Sequence, residues 1–229
     1  MVVQRSRELL HDADRLSTDL RDYSLGVQGH VRMLANASAM LDALPERLEK
    51  FMHSHPLIRI DLEEQSSPDI AQALLDGKAD LGIADLAHVP AGLVAQDFFT
   101  DTLVLVVPSG HALAKHDVLP LKDALDVDFI TLTSGTALSN RLVAAALDAA
   151  KPLHIRMRMR SFDAVCRMVA AGLGAGLLPL QAIAPQRACL PIKVVHLSDP
   201  WAARTHKLLS RKTPTPSPAA QTLAQALLS

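Results

Sequence analysis

Residues 67–84 read SPDIAQALLDGKADLGIA, and this stretch decides the fold class. Ser67 followed by Pro68 marks a helix start: a hydroxyl can accept from first-turn N–H groups, and a first-turn proline lacks only a donor that the helix leaves unused. Gly77 stops that helix, and the apolar run 80–84 comes next as a short strand. The same handover recurs along the chain. Strands are expected at 30–35, 57–63, 80–84, 102–107, 128–132, 153–160, 175–178, 192–196 and 204–210. Helices are expected at 39–54, 67–76, 121–126, 136–149, 162–171, 180–187 and 218–228, the last opened by Ser217 and Pro218. Such alternation reads as an α/β fold with largely parallel sheet and helices on both faces. The extended passage from Gly92 to Pro108 and the break at Asp199-Pro200-Trp201 are two long connectors, which suggest two lobes joined by two crossings.

Composition narrows the function. The chain has 229 residues, 49% hydrophobic and 21% charged, with 23 basic against 24 acidic side chains. That is enough to bury a core, and no global basic field draws the chain onto nucleic acid. Aromatic residues at 3% argue against base-stacking platforms. Cys166 and Cys189 form no disulfide framework, and no export signal or membrane-length apolar run is present, so a cytoplasmic location is expected.

Residues 1–25 differ from the rest. Leu9, Ala13, Leu16, Leu20 and Tyr23 recur at spacings of four, three, four and three, a heptad seam flanked by charged residues. A helix with so narrow an apolar stripe needs a partner helix or the domain behind it.

Familiar chemical motifs are missing. Gly172-Leu-Gly-Ala-Gly176 comes after a helix and opens a strand, the reverse of a dinucleotide loop, so these glycines read as a helix stop and close helix–strand packing. The histidine pairs His53/His55 and His111/His116 lack ligand partners and read as surface residues. Cys166 reads as a buried inert thiol, and Ile155–Arg160, alternating apolar with Arg, as a strand with one wet face. No cofactor or metal is expected.

The informative feature is the chemistry of the strand ends. Asn36, Ala37 and Ser38 come after the first strand, Gln65, Ser66 and Ser67 after the second, and Ala84 and Asp85 close the third. Thr133, Ser134, Gly135 and Thr136 succeed the strand ending at Leu132, and Ser161, Phe162 and Asp163 the Arg-rich one. Each hydroxyl alone is an ordinary helix cap. Together, at the carboxyl edge of an open sheet, they favour a small anion or carboxylate, because unpaired N–H groups point there. These positions hold no nucleophile–base pair and no paired carboxylates, so the crevice reads as built for binding.

The segments Leu44-Pro45 with Phe51 and His55-Pro56, Ala73–Ile83, Leu103–Pro108 with His111, and Val169–Pro179 stand in an order and spacing that resemble the effector-binding domain of LysR-type transcriptional regulators. The likeness runs from about Gly29 to the C-terminus. It implies a two-lobe fold like that of type 2 periplasmic binding proteins, with lobe I at 29–98 and 197–229 and lobe II at 99–196. It also implies that 1–25 is a linker and dimerisation helix carrying Leu9, Ala13, Leu16 and Leu20. A winged helix-turn-helix normally precedes that linker and is not in this chain, so operator DNA is expected to be reached only through such a module. Dimers or tetramers, and contact with RNA polymerase in the full-length protein, are further implications. Carried onto this sequence, the effector contacts are Asn36, Ser38, Ser66, Ser67, Asp85, Thr133, Ser134 and Thr136, with Phe162 as an apolar wall. An acidic residue at Asp85, where relatives that bind dicarboxylic or aromatic acids carry a basic one, points to a ligand with one carboxylate and a donor that meets Asp85. The alternatives are an enzyme or a solute-binding protein on the same fold.

Overall fold

The structure, a computed structural model, describes residues 29–229. The heptad seam at Leu9, Ala13, Leu16 and Leu20 lies outside the described residues. The chain divides into two compact units, residues 29–99 with His206–Ser229, and Thr100–Thr205.

In the first unit, strand β1 (Gly29–Ala35) leads into two helices, α1 (Ala37–Leu41) and α2 (Ala43–Ser54). Strand β2 (Ile58–Glu64), helix α3 (Ser67–Leu75) and strand β3 (Leu81–Ala84) come next, then the start of β4 (Leu93–Pro108). The unit is completed by most of β10 (Ala203–Arg211) and by α7 (Pro218–Leu228). β1 pairs parallel with β2 and β3, and β10 joins β3 antiparallel. Alternation along the strands sorts the core onto two faces. Val31, Met33, Ile83 and Leu208 pack with Phe51, Leu223 and Leu227 on one face, while Leu34, Ala84 and Leu209 pack with Ile70 and Leu74 on the other.

The second unit holds the rest of β4, β5 (Val118–Leu119), β6 (Phe129–Leu132), α4 (Ala137–Asp148), β7 (Ile155–Met159) and α5 (Phe162–Ala170). β8 (Ala175–Pro179), α6 (Leu180–Arg187), β9 (Ile192–Leu197) and the start of β10 complete it. β6 pairs parallel with β7 and β8, whereas β4 runs antiparallel to both β8 and β9. Arg204 forks onto Asp101 with both side chains buried, Nε donating to Oδ1 at 2.7 Å and Nη2 to Oδ2.

The sheets are largely parallel, as expected, apart from β4 and β10, which oppose their neighbours. Three expected elements need correction. The strand expected at 102–107 is the end of a sixteen-residue strand. The helix expected at 39–54 is broken at Asp42, whose φ of −113° and ψ of −107° are not helical. Only a single 3₁₀ turn, Leu121–Ala124, forms in place of the helix expected at 121–126.

The glycine cluster behaves as a stop and a packing device. Gly172 ends α5 at φ +79°, and a Cβ on Gly176 would lie 2.8 Å from Val165 Cγ1. Gly174 sits at φ +153° with its Cβ position 2.5 Å from the Asp128 carbonyl oxygen, a backbone atom that cannot yield. Gly174→Ala is therefore expected to cost at least about 2 kcal/mol, read as a lowered urea midpoint at unchanged m-value.

Candidate functional site

Parallel pairing brings the carboxyl ends of β1, β2 and β3 to one edge of the first unit, so the chain must start α1 and α3 there. Helix starts leave N–H groups without intrahelical partners, and buried polar side chains must find each other. Both demands meet at Asn36. It caps α1 by accepting from the Ala39 N–H at 3.0 Å, and its own N–H donates to the Ile83 carbonyl at 3.1 Å. Its Nδ2 donates to Ser67 Oγ at 3.2 Å and lies 3.1 Å from His206 Nδ1 on β10. Ser67 Oγ also accepts from the Asp85 N–H at 3.0 Å. Thus Asn36, Ser67 and Asp85, only 8, 2 and 3% exposed, form one hydrogen-bonded set from the ends of three elements. Ser38 is buried in the first turn of α1.

Ser66, not Ser67, caps α3. Ser66 has extended backbone (φ −70°, ψ 149°), and its Oγ accepts from the Asp69 N–H at 3.4 Å. Ser67 is already helical, which turns its hydroxyl inward to Asn36. Ser66 bonds to the Asp69 carboxylate instead, away from that set.

In the second unit, Thr133 and Ser134 are exposed in the turn after β6. Thr136 caps α4, accepting from the Ser139 N–H at 3.2 Å and donating to the Thr133 carbonyl at 3.1 Å. Phe162 opens α5 behind the capping Ser161 and is buried. These residues form two separate helix starts within their unit.

His206 is the residue that sequence reasoning misses. The sequence offers its histidine pairs as surface groups, yet this one is fully buried, with its ring stacked on Phe99 at 4.3 Å between centroids and 6° between planes. The available signal is its place inside an expected strand, two residues before Leu208.

A separate hollow of about 490 Å³ in the first unit is lined by Asp61, Glu63, Gln65, Asp69 and Gln72. Arg32 also reaches it but is engaged by Asp80 and by the Gly77 carbonyl. Among the described residues, no group of three or more His, Cys, Asp or Glu is arranged to hold a metal ion. No helix among them is long and apolar enough to cross a membrane.

Cys166 is buried on α5, and burial, helped by the nearby Asp163 charge, pushes its thiol up to about 11. Cys189 is exposed. At pH 8 a disulfide reagent is expected to modify Cys189 promptly and Cys166 only after denaturation, counted by absorbance in native and urea-treated protein.

Residues 24–229 match the protein family described as LysR substrate binding domain. Among curated relatives, a probable RuBisCO transcriptional regulator of Trieres chinensis is 26% identical over 92% of this chain and 71% of its own length. The effector-binding domain of QuiR in complex with shikimate superposes with a TM-score of 0.78 at 21% identity, covering 87% of this chain and 95% of that one. The regulatory domain of Synechocystis CcmR in complex with 2-PG gives 0.80 at 20% identity, covering 88 and 96%. At these identities, the solved structures share the fold.

Proposed function

Since the chain belongs to the LysR substrate-binding domain family, the effector-binding regulatory part of LysR-type transcriptional regulators, we propose that it binds one small organic acid and carries out no reaction on it. The supporting observation is the buried set at Asn36, Ser67 and Asp85, where helix starts and a hydroxyl meet at the carboxyl edge of parallel strands. Dipoles and N–H groups of that kind favour an acceptor anion. Shikimate and 2-PG, the molecules in the two related complexes, carry the same implication for ligand class.

The acidic Asp85 at this edge favours a ligand with a single carboxylate and a donor elsewhere. Thr133, Ser134, Thr136 and Phe162, the positions carried over from the family resemblance, are proposed as further effector contacts. The seam at Leu9, Ala13, Leu16 and Leu20 is proposed as the self-association element, and DNA is reached in the full-length cytoplasmic regulator through a separate reading module. Regulation then arises from differential affinity: an acid that binds one state ten times better than another shifts their balance by about 1.4 kcal/mol. An acid that binds both equally switches nothing.

A panel of small organic acids including shikimate and 2-PG, read by thermal shift, tests this reading. At about 100 times its dissociation constant, a binding acid adds roughly 2.7 kcal/mol of stability, and chromatography is expected to recover it unchanged. By calorimetry, Ser67→Ala should weaken that acid about tenfold or more, through loss of a hydrogen bond to a charged group. Asp85→Asn should weaken an acid that also bears an amine or hydroxyl, and an unchanged affinity would remove Asp85 from the site. An acid consumed in the assay would make the chain an enzyme.

A further inference from the structure

The polar set around Asn36 has a direction, and backbone groups set it. The Ala39 N–H can only donate, so the Asn36 oxygen faces it and Nδ2 faces the other way. One Nδ2 proton is directed at Ser67 Oγ and the other at His206 Nδ1. His206 Nδ1 must therefore accept, which puts the proton of the neutral ring on Nε2. Ser67 Oγ receives a second obligate donor, the Asp85 N–H. Both of its lone pairs are then filled. The hydroxyl proton has no acceptor among the described residues, although Ser67 is only 2% exposed. A buried donor in that state calls for an acceptor from outside the protein.

Resting on the reading of this cluster as the effector site, we infer that His206 is its specificity-determining positioning residue. By accepting one amide proton, His206 holds Asn36 in the orientation that makes Ser67 a donor only. The Ser67 position therefore takes a ligand group that accepts, a carboxylate or another oxyanion, and rejects one that presents N–H. The parallel stack on Phe99 holds the imidazole in place while it does so. Remove the acceptor and one Asn36 proton is left buried without a partner. The Ala39 N–H still opposes a half-turn, but the amide, no longer held on its Nδ2 side by His206, can tilt away from Ser67 toward another acceptor, and a Ser67 lone pair then opens toward the ligand. Specificity of this kind comes from the group left unpaired by the wrong ligand.

The test uses shikimate and its neutral carboxamide as paired probes in calorimetry. Wild type is expected to prefer the acid by about tenfold or more. His206→Phe keeps an aromatic ring against Phe99 but removes the acceptor, and should cut that preference at least about fivefold, whereas His206→Gln, which carries a carbonyl acceptor, should restore much of it. In an Asn36→Ala background, adding His206→Phe should leave the preference unchanged, because the effect runs through Asn36. Equal losses for both probes in His206→Phe would mark a merely structural residue and overturn the inference, as would an unaltered preference. Ring nitrogen shifts of His206 in the labelled wild-type chain decide the polarity without any ligand or variant. An unprotonated Nδ1 beside a protonated Nε2 is expected, and a protonated Nδ1 would overturn the inference. Failure of both probes to bind wild type would count against the effector reading for shikimate, while the nitrogen shifts still judge His206.

Discussion

Asn36 carries the constraint on which the first unit's site depends. Parallel strands deliver β1, β2 and β3 to one edge, so the helices that succeed them must begin side by side with their first N–H groups unpaired. A single amide, 8% exposed, caps one helix, holds the first-turn serine of the next and meets a strand from the far end of the chain. Ser67 extends the set to the end of β3 through the Asp85 N–H. Because each member is buried, removing one exposes the others to an unmet hydrogen bond, which costs more than the bond contributes. Local sequence choice and long-range topology thus converge on the same few atoms.

Much of this is legible in residue order. The α/β alternation, the glycine stop at Gly172 and the close strand at Gly176 are consequences of spacing and of what a Cβ would hit. The cluster of small polar residues at strand ends is equally visible. Hidden from the sequence is whatever depends on partners remote along the chain. Strand periodicity is two in either direction, so nothing in 93–108 or 203–211 announces that β4 and β10 run antiparallel to their neighbours. Ser66 and Ser67 are the same residue type side by side, and only the backbone turn tells which one caps and which one faces inward. His206 lies 170 positions from its Asn36 partner, a separation at which no local pattern reports contact.

The proposed reading, in which the ligand is held and not transformed, rests on the kinds of group the Asn36 set contains. The Asn36 set consists of an amide, a hydroxyl, backbone N–H groups and one imidazole within hydrogen-bond distance of the amide, with Asp85 at its margin. Such groups complement fixed negative charge without requiring a proton to move. That suits a regulatory domain, where differential affinity between two states transmits the signal. The distinction between the Asn36 set and the acidic hollow near Gln72 matters here, since an organic anion would meet repulsion from Asp61, Glu63 and Asp69 in the latter.

The most direct check of this account is amide chemical-shift mapping of the labelled chain during titration with an acid that stabilises it. The account predicts saturable shifts at the amides of Asn36–Ala39, Ser66, Ser67 and Asp85, with the acid's own resonances unchanged over time. Shifts gathered instead around Asp61, Glu63 and Gln72, or new resonances from a converted acid, would contradict it.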